Sequence, residues 1–227
     1  MTKFYKLSEL GQLRSGYSSR SDLDPEGDEK PTHWALSMRS LHRENRRKID
    51  WKEVDPVVLG KDRKKKKDWK TEKEEVVDDQ NYLLHNGDVL FLLRGLHLTA
   101  VYVENPPNKT IVLNNWAIFT PKSSLVQSQY LVWWFNHPRT QHRINELARG
   151  SNQIFLPMSE LRQIKVPIPS LKVQEQIGEL NELRQQEKEL VQKRENLRDR
   201  FLNALTFHLL SQEIVEEKSN HDRSNSN

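Results

Sequence analysis

Between Leu171 and Gln212 the chain holds no proline and one glycine, Gly178. Nothing there interrupts a helix, so the stretch predicts a single one of roughly 40 residues and about 60 Å. It is preceded by "VPIPSLKVQEQI", residues 166 to 177, in which Pro167 and Pro169 hold an extended connection and Ser170 is placed to cap the helix. Along the predicted helix Leu183, Leu190, Leu197 and Ala204 recur every seven residues, and Leu180, Glu187, Arg194 and Phe201 form a companion series offset by three or four. So narrow a stripe reads as a coiled-coil seam. A parallel, in-register pair would set Glu187 against Glu187 and Arg194 against Arg194. An antiparallel pair centred near Leu190 brings Glu187 of one chain within roughly 5 Å along the axis of Arg194 of the other, which favours antiparallel pairing with a second copy or a similar helix. The plainer alternative is a helix packed on its own domain with Glu187 and Arg194 solvated.

The chain before this helix has a different pattern. "FYKLSELGQLRSGYSSR" opens strand-like and is punctuated by Gly11 and Gly16, and residues 21 to 32 hold turn formers and charge with little to bury. "PVVLG" at 56 to 60 is a short strand candidate. "HNGDVLFLLRG" reads as a turn on Asn86 and Gly87 followed by a buried strand, and "LTAVYVE" and "TIVLNNWAIF" add further β-branched and aromatic runs. "LVQSQYLVWWFNH" is helical and ends before Pro138; "RTQHRINELARG" is a second short helix with Gly150 as its stop. "MSELRQIKVPIP" offers a serine cap, a helical turn and a strand. The expected fold class is therefore α+β: a sheet-rich domain over residues 1–169, a long helix over 170–212 forming an antiparallel coiled coil, and a tail over 213–227 that is disordered by composition.

Charge is concentrated. From Lys30 to Lys73 there are 15 Lys and Arg against 7 Asp and Glu, an excess of eight in a chain whose net charge is +4, so the remainder sums to −4. Such a patch suggests an anionic partner; were that partner DNA, phosphates would need cations and sequence choice would need donors at base edges. Arg39, Arg43, Arg46, Arg47 and Lys48 are candidates for mixed duty, and Lys64, Lys65, Lys66 and Lys67, beside Trp69, for backbone contact. The tetralysine is alternatively a solvated loop. There is no cysteine, which removes disulfides and thiolate chemistry. The first residues, "MTKFYKLSEL", lack a signal core, and apolar runs such as Val89 to Leu93 are too short to cross a bilayer, so a cytoplasmic protein away from membranes is expected.

Several stretches together resemble the specificity (S) subunits of type I restriction-modification systems: "KLSELGQLRSG" at 6 to 16, "LHNGDVLFLLRG" at 84 to 95, "QYLVWWFNHP" at 129 to 138, and "ARGSNQIFLPMSELRQIKVPIPSLKVQEQI" at 148 to 177. The last is the strongest, and the segment from 20 to 80 matches loosely. The resemblance implies a target-recognition domain that reads double-stranded DNA, joined to a helix that acts as a ruler and docks adenine-N6 DNA methyltransferase subunits. It implies no directly bound cofactor, AdoMet being held by the methyltransferase, and a restriction motor-nuclease subunit as a further partner. The usual chain of the family carries two recognition domains and two helices; this one carries one of each, so a homodimer would restore the arrangement and read a split, palindromic target. The resemblance also selects Arg94, Arg149, Ser151, Asn152 and Gln153 as DNA contacts. Asn and Gln pair bidentately with adenine as Arg does with guanine, although Asn152 and Gln153 equally suit a turn.

Catalytic motifs are sparse. "LHREN" places His42 near Glu44 and Asn45 without a second histidine or acid at a metal-site spacing, and there is no glycine-rich phosphate loop or AdoMet fingerprint. The expectation is a protein that is not an enzyme. Two alternatives stay open: a standalone nuclease or DNA-modifying enzyme with an unrecognised metal site, and a coiled-coil scaffold with an RNA-binding head.

Overall fold

The run "VLFLL" is apolar at successive positions because both faces of its strand are covered. In the computed structural model, which describes residues 2–18, 31–41, 48–57, 59, 80–95, 97–150 and 154–224 (backbone alone for 213–224), strand β5 (Val89–Leu92) is buried at every position. It lies inside a four-stranded sheet in the order β2–β9–β5–β7, with β2 Gly11–Ser15, β9 Trp116–Pro121 and β7 Ala100–Tyr102. All three pairings are antiparallel. Val89, Phe91 and Leu93 enter one core with Phe119 of β9 and with Tyr130, Leu131, Phe135 and Leu161 of the helical layer. Leu90 and Leu92 enter a second core with Trp116, Ile118, Leu36 and Val112. The period of two distributes one strand between two cores. Each fully buried aromatic or aliphatic side chain contributes about 1.5–3 kcal/mol to holding them.

The second core is closed by a three-stranded sheet in the order β4–β3–β8, where β3 (His33–Leu36) pairs antiparallel with β4 (Asp55–Val57) and parallel with β8 (Thr110–Val112). The first core is closed by four short helices: α1 (Leu7–Leu10), α2 (Ser128–Asn136), α3 (Pro138–Leu147) and α4 (Met158–Gln163). Strand β1 (Lys3–Lys6) pairs antiparallel with β11 (Lys165–Ile168), so the first and last strands before the long helix meet, with Phe4 opposite Pro167. Helix α5 spans Leu171–Ser224.

Two motifs in the sequence are braces. Asp88, 1% exposed, accepts from the His85 backbone N–H (2.9 Å) and the Thr120 hydroxyl (2.6 Å), and ion-pairs with Arg14 at 3.4 Å. That ties the Asn86–Gly87 turn, where Gly87 has φ +93°, to strands β2 and β9. Asn136, at the end of α2, accepts from the Thr99 hydroxyl and the Ala100 N–H and donates to the Ala100 carbonyl, fixing α2 to β7.

Four expectations change. Ser159 lies inside α4, whose cap position is Pro157, and α3 ends with Ala148 at its cap, so that Gly150 (φ +97°) lies beyond it. The helix does not stop near Gln212: its backbone continues through Ser224, because no glycine or proline comes after Gly178 and each added residue contributes another hydrogen bond. The chain divides into compact units Met1–Glu179 and Leu180–Asn227, rather than at 169.

The later boundary has a physical reason in the first turns of α5. Gln174 is fully buried; its Oε1 accepts from the Gln127 N–H (2.9 Å), and its Nε2 donates to the carbonyls of Leu125 and Pro169 (3.0 Å each). The Tyr130 hydroxyl donates to the Pro167 carbonyl at 2.5 Å, and Gly178 sits where a Cβ would come within 3.0 Å of the Gln129 Cβ. The prolines set the extended approach; Gln174 and Tyr130 supply the hydrogen bonds that hold it.

Candidate nucleic-acid interface

Three of the selected arginines lie on elements that converge. Strand β6 (Arg94–Gly95) continues from β5 and pairs antiparallel with β10 (Ile154–Phe155), Phe155 opposite Arg94. Phe155 spends both backbone groups on the other side, donating to the Arg149 carbonyl and accepting from the Arg149 N–H, each at 2.8 Å. The Arg94–Phe155 pair is therefore a non-hydrogen-bonded one, the closer kind across an antiparallel ladder. The consequence is a direct cation–π contact: the Arg94 guanidinium carbon lies over the Phe155 ring, 4.5 Å from its centre.

The 3₁₀ turn Met38–Ser40 adjoins this pair, since a Cβ on Gly95 would lie 3.5 Å from the Met38 Cε. The turn is held firmly: the Ser37 hydroxyl accepts from the Arg39 N–H, and Ser40 donates its hydroxyl hydrogen to the Glu53 carbonyl at 2.7 Å. Arg39 is exposed on it, and Lys48 is exposed beside the bridge between Leu41 and Ile49. Arg94 and Arg149 thus flank Phe155, and Arg39 lies on the turn whose Met38 adjoins Gly95, with Lys48 close in the chain to the same turn.

The three arginines differ electrostatically. Arg149 lies 3.9 Å from Glu160 of α4, which offsets part of its charge. Among the described residues no carboxylate stands within ion-pair distance of Arg94, so its charge rests on the ring face alone. A guanidinium has five N–H donors, and a carboxylate, phosphate or base can take two of them at once.

Arg43, Arg46, Arg47, Lys64, Lys65, Lys66, Lys67, Ser151, Asn152 and Gln153 lie outside the described residues, as do His42, Glu44 and Asn45. Phe155 and Met38 were missed in the sequence. Nothing local marks Phe155, whose value comes from a partner 61 positions earlier in the numbering; the only signal was an aromatic next to a run selected on other grounds. Among the described residues no three His, Asp or Glu side chains gather as a metal site.

The seam residues form a separate surface on α5. Leu180, Leu183, Leu190, Leu197 and Phe201 are 53–68% exposed. Glu187 is exposed, and Arg194 pairs with its neighbour Glu195 at 2.9 Å. The coiled coil itself requires a second helix and is not present in one chain.

One family profile, described as the type I restriction modification DNA specificity domain, matches residues 2–196. Three solved structures are similar. The type I restriction-modification S subunit from M. genitalium is 11% identical, with a TM-score of 0.47 over 81% of this chain and 38% of that one. The HsdS subunit from Thermoanaerobacter tengcongensis is 17% identical, with a TM-score of 0.49 over 82% and 37%. A chain from a structure of type I R-M system assembly and conformational transition is 15% identical, with a TM-score of 0.52 over 83% and 40%. No curated protein matches. The chain spans about two-fifths of the length of these solved chains, and at such identities the third supports the fold alone.

Proposed function

We propose a function from one premise: the chain belongs to the family of type I restriction modification DNA specificity domains. On that premise it recognises DNA for a restriction-modification complex. The head, residues 1–179, reads base sequence in duplex DNA, and the chemistry of methylation at adenine N6 belongs to a partner methyltransferase that holds AdoMet. A restriction motor-nuclease subunit is the third member of the assembly. This chain positions them and is not itself an enzyme.

The observation that carries the reading is the Arg94–Phe155 contact with Arg39 and Arg149 on adjoining elements. It offers guanidinium donors beside the chain's basic region, which is the combination that base readout needs. Lys64 to Lys67 supply sequence-independent attraction to phosphate. No helix among the described residues is long and apolar enough to cross a membrane, and the exposed seam of α5 fits a second copy better than a lipid surface because Glu187 and Arg194 interrupt it.

Two copies joined antiparallel through that seam would carry identical heads related by a two-fold axis. Their target would be bipartite and palindromic, each head reading one half-site, with the spacer set by the paired helices.

The deciding experiment is co-expression of the chain with an adenine-N6 methyltransferase subunit of a type I system from the same genome, then purification and mapping of methylated sites. The expected result is a stable complex that methylates one split palindrome. Cleavage or base modification by the pure chain with a divalent metal would overturn the reading in favour of a standalone enzyme, and preference for RNA over duplex DNA in competition would overturn it in favour of an RNA-binding scaffold. Replacing Lys64 to Lys67 by alanine should lower affinity evenly across sequences and reduce the salt slope of log K by about 3–4.

A further inference from the structure

We propose that Arg94 is the side chain that reads guanine in each half-site, and that Phe155 is its positioning residue. The assignment rests on the DNA-recognition reading and deepens it to one base and one pair of side chains. Three observations single out Arg94 among the cations described. It sits on a paired strand, opposite Phe155, and not on a free loop. Its guanidinium carbon lies 4.5 Å from the ring centre. It is exposed and, among the described residues, has no carboxylate in ion-pair range, whereas Arg149 faces Glu160 at 3.9 Å.

Those features match what guanine recognition demands. Guanine presents two acceptors, N7 and O6, on its major-groove edge, and the side chain that satisfies both at once is a planar fork held still. A free arginine loses much rotamer freedom on docking; one already resting on an aromatic face has lost part of it beforehand, so less binding free energy is consumed by ordering. With its carbon held over the ring, the guanidinium, which has five N–H donors, can offer two of them to the base. Phe155 is itself immobilised by its two backbone hydrogen bonds to Arg149. A phosphate contact would not need this: a point charge on a flexible stem suffices there. The contact therefore fits base readout better than backbone attraction.

The test is selection from a randomised duplex pool by the full-length chain, with the enriched base at every position compared between wild type and variants. Arg94→Lys should keep the salt slope and the affinity for unrelated duplex within about twofold, while affinity for the selected sequence and the guanine preference at one position of each half-site both fall about five- to 100-fold. Phe155→Leu should weaken preference at that same position and no other, and Phe155→Tyr, which keeps the ring, should restore it. Thermal unfolding of each variant identifies any that fails to fold, and Phe155→Tyr keeps the comparison alive in that case. If wild type enriches a sequence and Arg94→Lys enriches the same one with equal guanine preference, the assignment is overturned and DNA recognition stands. If wild type enriches no sequence at all, the recognition reading falls and takes this one with it.

Discussion

The first nine residues of α5 and the next thirty or so are one helix in backbone and two different objects in chemistry. Between Leu171 and Glu179 the helix has an inside: Gln174 is fully buried, Gly178 is buried, and Ile177 packs on the first core. From Leu180 to Gln212 no residue is buried, and Leu180, Leu190 and Phe201 are 68%, 67% and 65% exposed. The head stabilises the first stretch through hydrogen bonds and packing that a single chain can satisfy. The second stretch has an apolar stripe that this chain leaves in water, and tertiary or quaternary burial of such a stripe is what usually stabilises a helix. The contrast teaches that an uninterrupted helix need not have one source of stability along its length. Here the base is set by the fold, and the rest of the helix leaves its apolar stripe exposed.

The largest break in that comparison comes from Leu190→Glu, at the centre of the proposed pairing. It removes two leucines from the seam and sets two carboxylates face to face, a loss of roughly 4 kcal/mol in association. Mass in solution should fall from dimer to monomer while the thermal transition of the head is unchanged. An unchanged mass would show that the seam has another use.

Next in size is Gln174→Ala, which acts on the other stretch. It leaves the Gln127 N–H and the carbonyls of Leu125 and Pro169 without their buried partner, and should cost about 3 kcal/mol of head stability, read as a lower urea midpoint. Gln176→Ala, two residues on and exposed, should cost almost nothing. If both variants unfold alike, the base of the helix is not anchored by Gln174.

The division between what could be read from sequence and what could not runs along the same line. The rod was legible because its signals are local: a heptad repeat and the absence of breakers need no knowledge of other elements. Strand β5 and helices α2 and α3 were legible for similar reasons, as Gly87, Pro138 and apolar runs bound them within a few residues. The Arg94–Phe155 contact was not, since its partners meet only after β6 and β10 pair across the head. Nor was the role of Gln174, whose amide reads as one more polar residue at the start of a helix until Leu125 and Gln127 arrive beside it. The role of Asp88, inside the "LHNGDVLFLLRG" that carries part of the resemblance, was not legible either: it is a buried brace for a turn. The tail reads as disordered only when its polar composition is weighed above the lack of any helix stop.

A sharper test of how the rods pair uses charge. In the antiparallel arrangement Glu187→Arg alone turns two favourable cross-chain pairs into two repulsive ones and should weaken dimerisation by about 1–2 kcal/mol; adding Arg194→Glu should restore it. In a parallel, in-register dimer the double exchange merely swaps which like charges meet, and there is no rescue. Sedimentation equilibrium at low and high salt separates the two, because the rescue should shrink as salt screens it.

The smallest expected effect is at the junction itself. Burial pushes the Tyr130 hydroxyl up to about 12, and that hydroxyl donates to the Pro167 carbonyl. An unfolded tyrosine titrates near 10. Between about 10 and about 12 the unfolded chain therefore releases this proton while the folded chain keeps it. Stability from this group is fully present below pH 10 and declines as pH rises through the window, since the folded state binds more protons there. Tyr130→Phe removes the donor and should cost about 1 kcal/mol or less at neutral pH. It should also flatten the difference in urea midpoint between pH 9 and pH 11 relative to wild type. Equal slopes in the two proteins would mean that the hydroxyl is not held by Pro167, and that the prolines and Gln174 alone fix the base of the rod.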